Sequence, residues 1–176
     1  MKPSRTRVAV LFLAALVTLA LPSTSRALSP LQLGVAGADL QLLRPETDVL
    51  GLRLNLPFSE NDSMAGLDLG VFSLSSDFTG IQLNLFSWCE TSFTGVGLAF
   101  FHTASDLAGA QLAFFPIADG TLTGLQIGAF PKANTIHGLQ IGVVNRADYL
   151  QGVQIGLINI LTASELSWTP LLRISF

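Results

Sequence analysis

Two stretches near the C-terminus, Gly138-Leu139-Gln140-Ile141-Gly142-Val143-Val144-Asn145 and Gly152-Val153-Gln154-Ile155-Gly156-Leu157-Ile158-Asn159, repeat one pattern. The pattern runs back through the chain, because glycine recurs at every fourteenth or fifteenth position. These glycines are Gly51, Gly66, Gly80, Gly95, Gly109, Gly124, Gly138 and Gly152. Such regular self-similarity indicates a fold assembled from repeated units.

Each repeat, numbered from its glycine as position 0, alternates between two kinds of residue. Positions +1, +3 and +5 are apolar in all eight repeats, whereas position +2 is mostly glutamine and position +4 is Asn, Gly or Ala. Side chains alternate between the two faces of a strand, so this pattern predicts strands with two unlike faces. The apolar positions −2 and +6 are expected to end the polar face, and the residues between repeats, such as 145–149, to form turns.

Two further segments raise the predicted number of strands to ten. Residues 30–35 match the pattern with Pro30 in place of the glycine, and residues 168–176 alternate up to Phe176. The pattern is palindromic about position +2, so antiparallel neighbours would place like residues opposite each other. We therefore expect a ten-stranded antiparallel meander that closes as a small transmembrane β-barrel. A β-solenoid with one repeat in each coil and a soluble barrel are the alternatives.

The side chains at position +2 of the repeats are expected to line the barrel lumen. They include Arg53, Asp68, Gln82, Gln111, Gln126, Gln140 and Gln154. Arg53 and Asp68 occupy consecutive strands, which predicts a structural ion pair or, alternatively, a selectivity charge in a pore. The glutamine amides can satisfy one another in a narrow lumen. The apolar side chains at −2 and +6 would close both mouths, so we expect the lumen to be plugged.

The segment 1–27 is expected to direct export. Basic residues precede an uncharged apolar run from Val8 to Leu21, and Ser25-Arg26-Ala27 resembles a cleavage site, which is the order of a secretory signal. Cleavage after Ala27 leaves the segment 28–176 as one repeat-built β domain with five basic and twelve acidic residues, a net charge of −7. That acidic balance gives no basic footprint for nucleic acid.

No catalytic or metal-binding pattern emerges from the sequence. Cys89, His102 and His137 supply reactive atoms, but we interpret them as a loop thiol and two interfacial residues. Clustered metal ligands and a phosphate-binding GxGxxG turn before a helix are both absent from the sequence. We therefore expect no enzyme activity, no cofactor and no metal.

The C-terminal strand ending at Phe176 resembles the closing strand that outer-membrane β-barrel proteins present to their assembly machinery. The repeats at Gly138 and Gly152 resemble the GLQIGLVN repeats of bacterial surface-repeat proteins from leptospires and other Gram-negative lineages. This resemblance covers nearly all of residues 30–176, although the repeats before Gly124 depart from it. The repeat resemblance implies the outer membrane or cell surface. The expected barrel would have membrane lipid as a partner, and the C-terminal strand ending at Phe176 implies the assembly machinery as a second partner.

The expected function is a structural or surface role. A narrow pore for small solutes and an exported β-solenoid with an adhesive or interaction surface are the alternatives.

Overall fold

The computed structural model describes residues 28–35 and 48–176, and the leader predicted at residues 1–27 lies outside them. The regular secondary structure of the described residues consists of strands. They are β1 (Leu28–Val35), β2 (Asp48–Gly128), β3 (Lys132–Gly142), β4 (Val144–Leu161) and β5 (Trp168–Ser175). The five strands form one open sheet in chain order. The all-β prediction is confirmed.

Successive repeats stack in parallel, each on the one before it. Gln140 of β3 pairs with Gln126 of β2, and Gln154 of β4 pairs with Gln140, so the register advances by one whole repeat each time. Strand β1 also runs parallel to β2, and only β5 pairs antiparallel, with β4. The predicted ten-stranded antiparallel barrel is therefore wrong. A palindromic pattern places like on like in either direction, so it could not decide between the two arrangements.

The residues between the repeats explain the parallel arrangement. Residues 145–149, predicted to be a turn, continue strand β4, and Asn145 and Ala147 are fully buried. These residues form a second wall that carries the chain back to the start of the next repeat. Fourteen extended residues span about 46 Å, enough for both walls.

Five columns of side chains face the interior between the walls. Large apolar residues at position −2 and mostly small residues at position +9 form the hydrophobic core, including Phe78, Phe93, Leu122, Ala118 and Ala133. Positions +2, +4 and +7 complete the interior, mostly with polar or small residues. Position +6 was expected to face the same way, but Phe72 and Phe130 are 42% and 45% exposed there. The chain bends between +4 and +7. Before the bend the even positions face the interior, and after it the odd positions +7 and +9 do.

The glycine column permits the tight stacking at position 0. Gly138 has a φ of +145°, and a Cβ atom there would lie 2.1 Å from the carbonyl oxygen of Gly124. Both features exclude a side chain. The repeat that begins at Gly109 has fifteen residues instead of fourteen. Its extra residue lies at the corner between Ala118 and Thr121, where the register shifts.

Candidate functional site

The seven residues predicted at position +2 share one interior column of the stack. Arg53, Asp68 and the five glutamines all have zero exposure, and they line the interior of the repeats rather than a barrel lumen. Gln32 of β1 pairs with Arg53 and is also fully buried, so it extends this column by one residue. The pattern match at Pro30 was the sequence signal for Gln32.

An ion pair occupies the N-terminal part of the column. The Nε and Nη2 atoms of Arg53 donate to the two carboxylate oxygens of Asp68 at 2.9 and 2.8 Å. Asp68 also accepts hydrogen bonds from Asn55 at 2.7 Å and from Gln82 and Asn84 at 2.8 Å each. Burial alone would raise the pKa of Asp68, but the hydrogen bonds and charge of Arg53 keep it below its usual value. Asp68 is therefore a carboxylate at neutral pH.

Neutral amides occupy the C-terminal part of the column. The side-chain nitrogen of Gln154 donates to the oxygen of Gln140 at 2.7 Å, and Gln140 donates to Gln126 at the same distance. Gln126 donates to Gln111 at 2.8 Å, and its nitrogen also contacts the carbonyl oxygens of Pro116 and Lys132. The four glutamines thus form an amide ladder in which every amide points the same way.

His102 joins the ladder to the ion pair, a role that the sequence interpretation missed. The repeat at Gly95 has Gly97 at position +2, and a Cβ atom there would lie 2.4 Å from Nε2 of His102. The missing side chain makes room for the buried imidazole, which contacts the oxygen of Gln82 at 3.1 Å and the nitrogen of Gln111 at 2.7 Å. A histidine at +7 in the one repeat with glycine at +2 was the available signal.

The orientation of the whole column follows from the carboxylate of Asp68. A carboxylate only accepts hydrogen bonds, so Gln82 turns its nitrogen toward Asp68 and its oxygen toward His102. Nε2 of His102 must then carry the proton, and Nδ1 accepts from Gln111. The imidazole is therefore neutral, and burial lowers its pKa to about 4.

Cys89 and His137, the other two reactive side chains singled out in the sequence, lie in different surroundings. Cys89 is buried rather than in a loop, its thiol contacts the Ser92 carbonyl oxygen at 3.1 Å, and burial raises its pKa to about 11. His137 is exposed and contacts the amide oxygen of Gln151 at 2.7 Å. Among the described residues, no group of three or more His, Cys, Asp or Glu side chains could hold a metal ion.

The outer side of the first wall carries an apolar flank, which we define as positions +1, +3 and +5 of the eight repeats. Its members are Leu52, Leu54, Leu56, Leu67, Leu69, Val71, Ile81, Leu83, Leu85, Val96, Leu98, Phe100, Ala110, Leu112, Phe114, Leu125, Ile127, Ala129, Leu139, Ile141, Val143, Val153, Ile155 and Leu157. None is charged, and Leu83 and Leu157 are 51% and 64% exposed. Eight stacked repeats make the flank about 34 Å long and about 13 Å wide.

A polar edge occupies another corner of each repeat, between position +9 and the next −2. We define it as residues 76–77, 90–92, 105–106, 119–121, 134–135 and 148–149. Neighbouring repeats are linked there by hydrogen bonds from Ser92 to Asp77 at 2.7 Å and from the Thr121 amide to Asp106 at 2.7 Å. The stack is therefore amphipathic in cross-section.

Comparisons with family models, curated proteins and solved structures found no match for this chain. Among the described residues, no helix is long and apolar enough to cross a membrane.

Proposed function

We propose that this chain is an exported β-solenoid, without a catalytic role, that attaches to a lipid surface through its apolar flank. The leader expected at residues 1–27 would supply export. The resemblance to surface-repeat proteins supports the outer membrane or cell surface of a Gram-negative bacterium as the destination. The solenoid geometry is supported by the parallel register, in which Gln140 pairs with Gln126 and Gln154 with Gln140.

The observation that carries the proposal is the uncharged flank, half of whose side chains are exposed, beside a polar edge. Its projected area of roughly 440 Å² is in the range of the largest apolar patch on a soluble monomer, and such patches are often functional. Removing that area from water is worth about 10 kcal/mol before the cost of immobilisation. Lipid is the partner that matches a surface with exposed carbon and no charge.

The open ends of the sheet favour attachment to the membrane surface over a membrane-spanning position. Strands β1 and β5 form the two ends of the sheet. Backbone groups at an open edge would lack partners in hydrocarbon, whereas at the interface they can bond to water. The narrow pore expected as an alternative depends on a closed barrel, so it is withdrawn with the barrel. Recognition of Phe176 by assembly machinery stays a prediction of the sequence.

Vesicle flotation of the mature chain tests this proposal. With phosphatidylcholine vesicles, we expect the protein to float, and the double variant Ile81→Glu/Leu83→Glu to stay in the bottom fraction, because it places two carboxylates on the flank. The matched control, Thr91→Glu/Tyr149→Glu, adds the same charge at exposed positions of the polar edge and should still float. A wild-type protein that remains monomeric without detergent and never floats would overturn the proposal.

A further inference from the structure

An apolar cleft of about 440 Å³ opens at the bend between the two walls, beside the N-terminal repeats. Its side chains are Phe58, Phe72, Leu74, Phe86, Trp88 and Phe101, with Ser73 and Ser87 at its base. The rings support one another, since Phe72 stacks on Phe86 at 4.8 Å and Trp88 lies 6.4 Å from Phe101. The volume is within the range of small-molecule sites.

The two serines offer no polar contact to a ligand in this cleft. The hydroxyl of Ser73 donates to Asp68 at 2.7 Å, and that of Ser87 donates to Gln82 at 2.5 Å. Both hydroxyls are thus engaged in the interior column, and the exposed wall of the cleft is entirely apolar. A sugar, nucleotide or peptide ligand would find no group to orient it, whereas a hydrocarbon chain needs none.

The cleft is continuous with the apolar flank through a series of aromatic contacts. Phe86 in the cleft wall lies 6.5 Å from Phe100 of the flank, and Phe100 stacks on Phe114 at 5.4 Å. A chain of a lipid beneath the flank could therefore enter the cleft without crossing water.

From these contacts we propose that the cleft binds one hydrocarbon chain of a membrane lipid. The inference rests on the proposed function for the source of the chain, because a protein attached by its flank meets lipid at the cleft mouth. The binding itself depends only on the cleft. Trp88 and the hydrocarbon would then lie in contact.

Fluorescence quenching of Trp88 tests this inference, since the chain has two tryptophans and Trp168→Phe leaves only Trp88. The probe is 9,10-dibromostearic acid below its aggregation concentration, followed by vesicles of phosphatidylcholine with brominated chains. We expect saturable quenching of Trp88 by the monomeric acid. In this background, Leu74→Asp should raise the acid concentration needed for half-maximal quenching about tenfold or more, because it places a charge in the apolar wall.

Two controls separate the cleft from the rest of the surface. Ile117→Asp alters the same repeat position outside the cleft and should leave the quenching unchanged. Trp88→Phe keeps Trp168, whose emission the monomeric acid should not quench saturably. Equal quenching of both tryptophans, or an unchanged response in Leu74→Asp, would overturn the inference.

The two proposals fail in distinguishable ways. Quenching by the monomeric acid without vesicle flotation would support the cleft and overturn lipid attachment by the flank. Flotation without quenching of Trp88 by either probe would support attachment and overturn the cleft. A second copy of the chain seated in the cleft would give concentration-dependent dimers and no quenching, which also overturns the inference.

Discussion

The N-terminal and C-terminal repeats fill the same interior column with different chemistry. Around Arg53 and Asp68, one buried charge pair requires hydrogen bonds from several further side chains, including Asn55, Asn84 and Gln82. Between Gln111 and Gln154, each amide bonds to the amide of the neighbouring repeat, and the other contacts are to backbone carbonyl oxygens such as those of Pro116 and Lys132. The difference shows that a neutral ladder extends by repeating one residue, whereas a buried charge must be surrounded individually.

The largest effect should come from breaking the charge pair. Arg53→Ala leaves the carboxylate of Asp68 buried without its counter-charge, and we expect the free energy of unfolding to fall by about 3–5 kcal/mol. Urea denaturation followed by circular dichroism measures it. The double variant Arg53→Gln/Asp68→Gln extends the amide ladder into this region and should recover most of the loss. If Arg53→Ala left the free energy of unfolding unchanged, the ion-pair region would not depend on its buried charges, and the contrast with the amide ladder would fail.

Acid should destabilise the N-terminal part of the column first. The pKa of His102 is about 4 in the folded protein and 6.5 as an unperturbed group. As the pH falls through 6.5, His102 binds a proton in the unfolded state but stays neutral in the folded state. Stability is thus lost between pH 6.5 and pH 4, by about 3 kcal/mol. The lowered pKa of Asp68 adds a further loss at lower pH.

Urea denaturation at a series of pH values measures this dependence, with His102→Gln as the comparison. The variant removes the titrating group and should flatten the profile between pH 6.5 and pH 4. An equally steep profile in His102→Gln would contradict the assignment to His102.

Position within the ladder should decide the cost of removing an amide. Gln126→Leu leaves the oxygen of Gln111 without its donor and the nitrogen of Gln140 without its acceptor in the column, so we expect a loss of about 1–3 kcal/mol. Gln154→Leu affects only Gln140, because the oxygen of Gln154 has no partner within the described residues, and should cost less. Thermal unfolding of the two variants checks the order, and equal losses would argue against a continuous ladder.

The smallest effect concerns Cys89. Its pKa of about 11, compared with 9.0 for a free thiol, reduces the thiolate fraction roughly 100-fold. Iodoacetamide at pH 8 should therefore modify the folded protein at least that much more slowly than the protein in urea. A mass shift at similar rates in both states would place Cys89 outside the interior.

The strand character could be predicted from the sequence because it depends on local alternation, as in the run from Gly138 to Val143. The sequence did not predict the direction of pairing, because a pattern symmetric about Gln140 is compatible with both directions. The role of His102 had a signal in the sequence, a histidine at +7 in the repeat with glycine at +2, but that signal could not be interpreted from the sequence alone. Its interpretation depends on knowing that positions +2 and +7 both face inward, which only the bend after position +4 reveals.

The ion pair also has a consequence for how the chain finds its register. If the C-terminal repeats slipped by one whole unit, Gln140 would meet another glutamine and glycine another glycine, so the amides alone barely distinguish the slipped pairing from the correct one. A slip that separated Arg53 from Asp68 would leave two charges buried without a counter-charge. This one unlike pair among near-identical units therefore penalises a slipped register that the amides alone would tolerate.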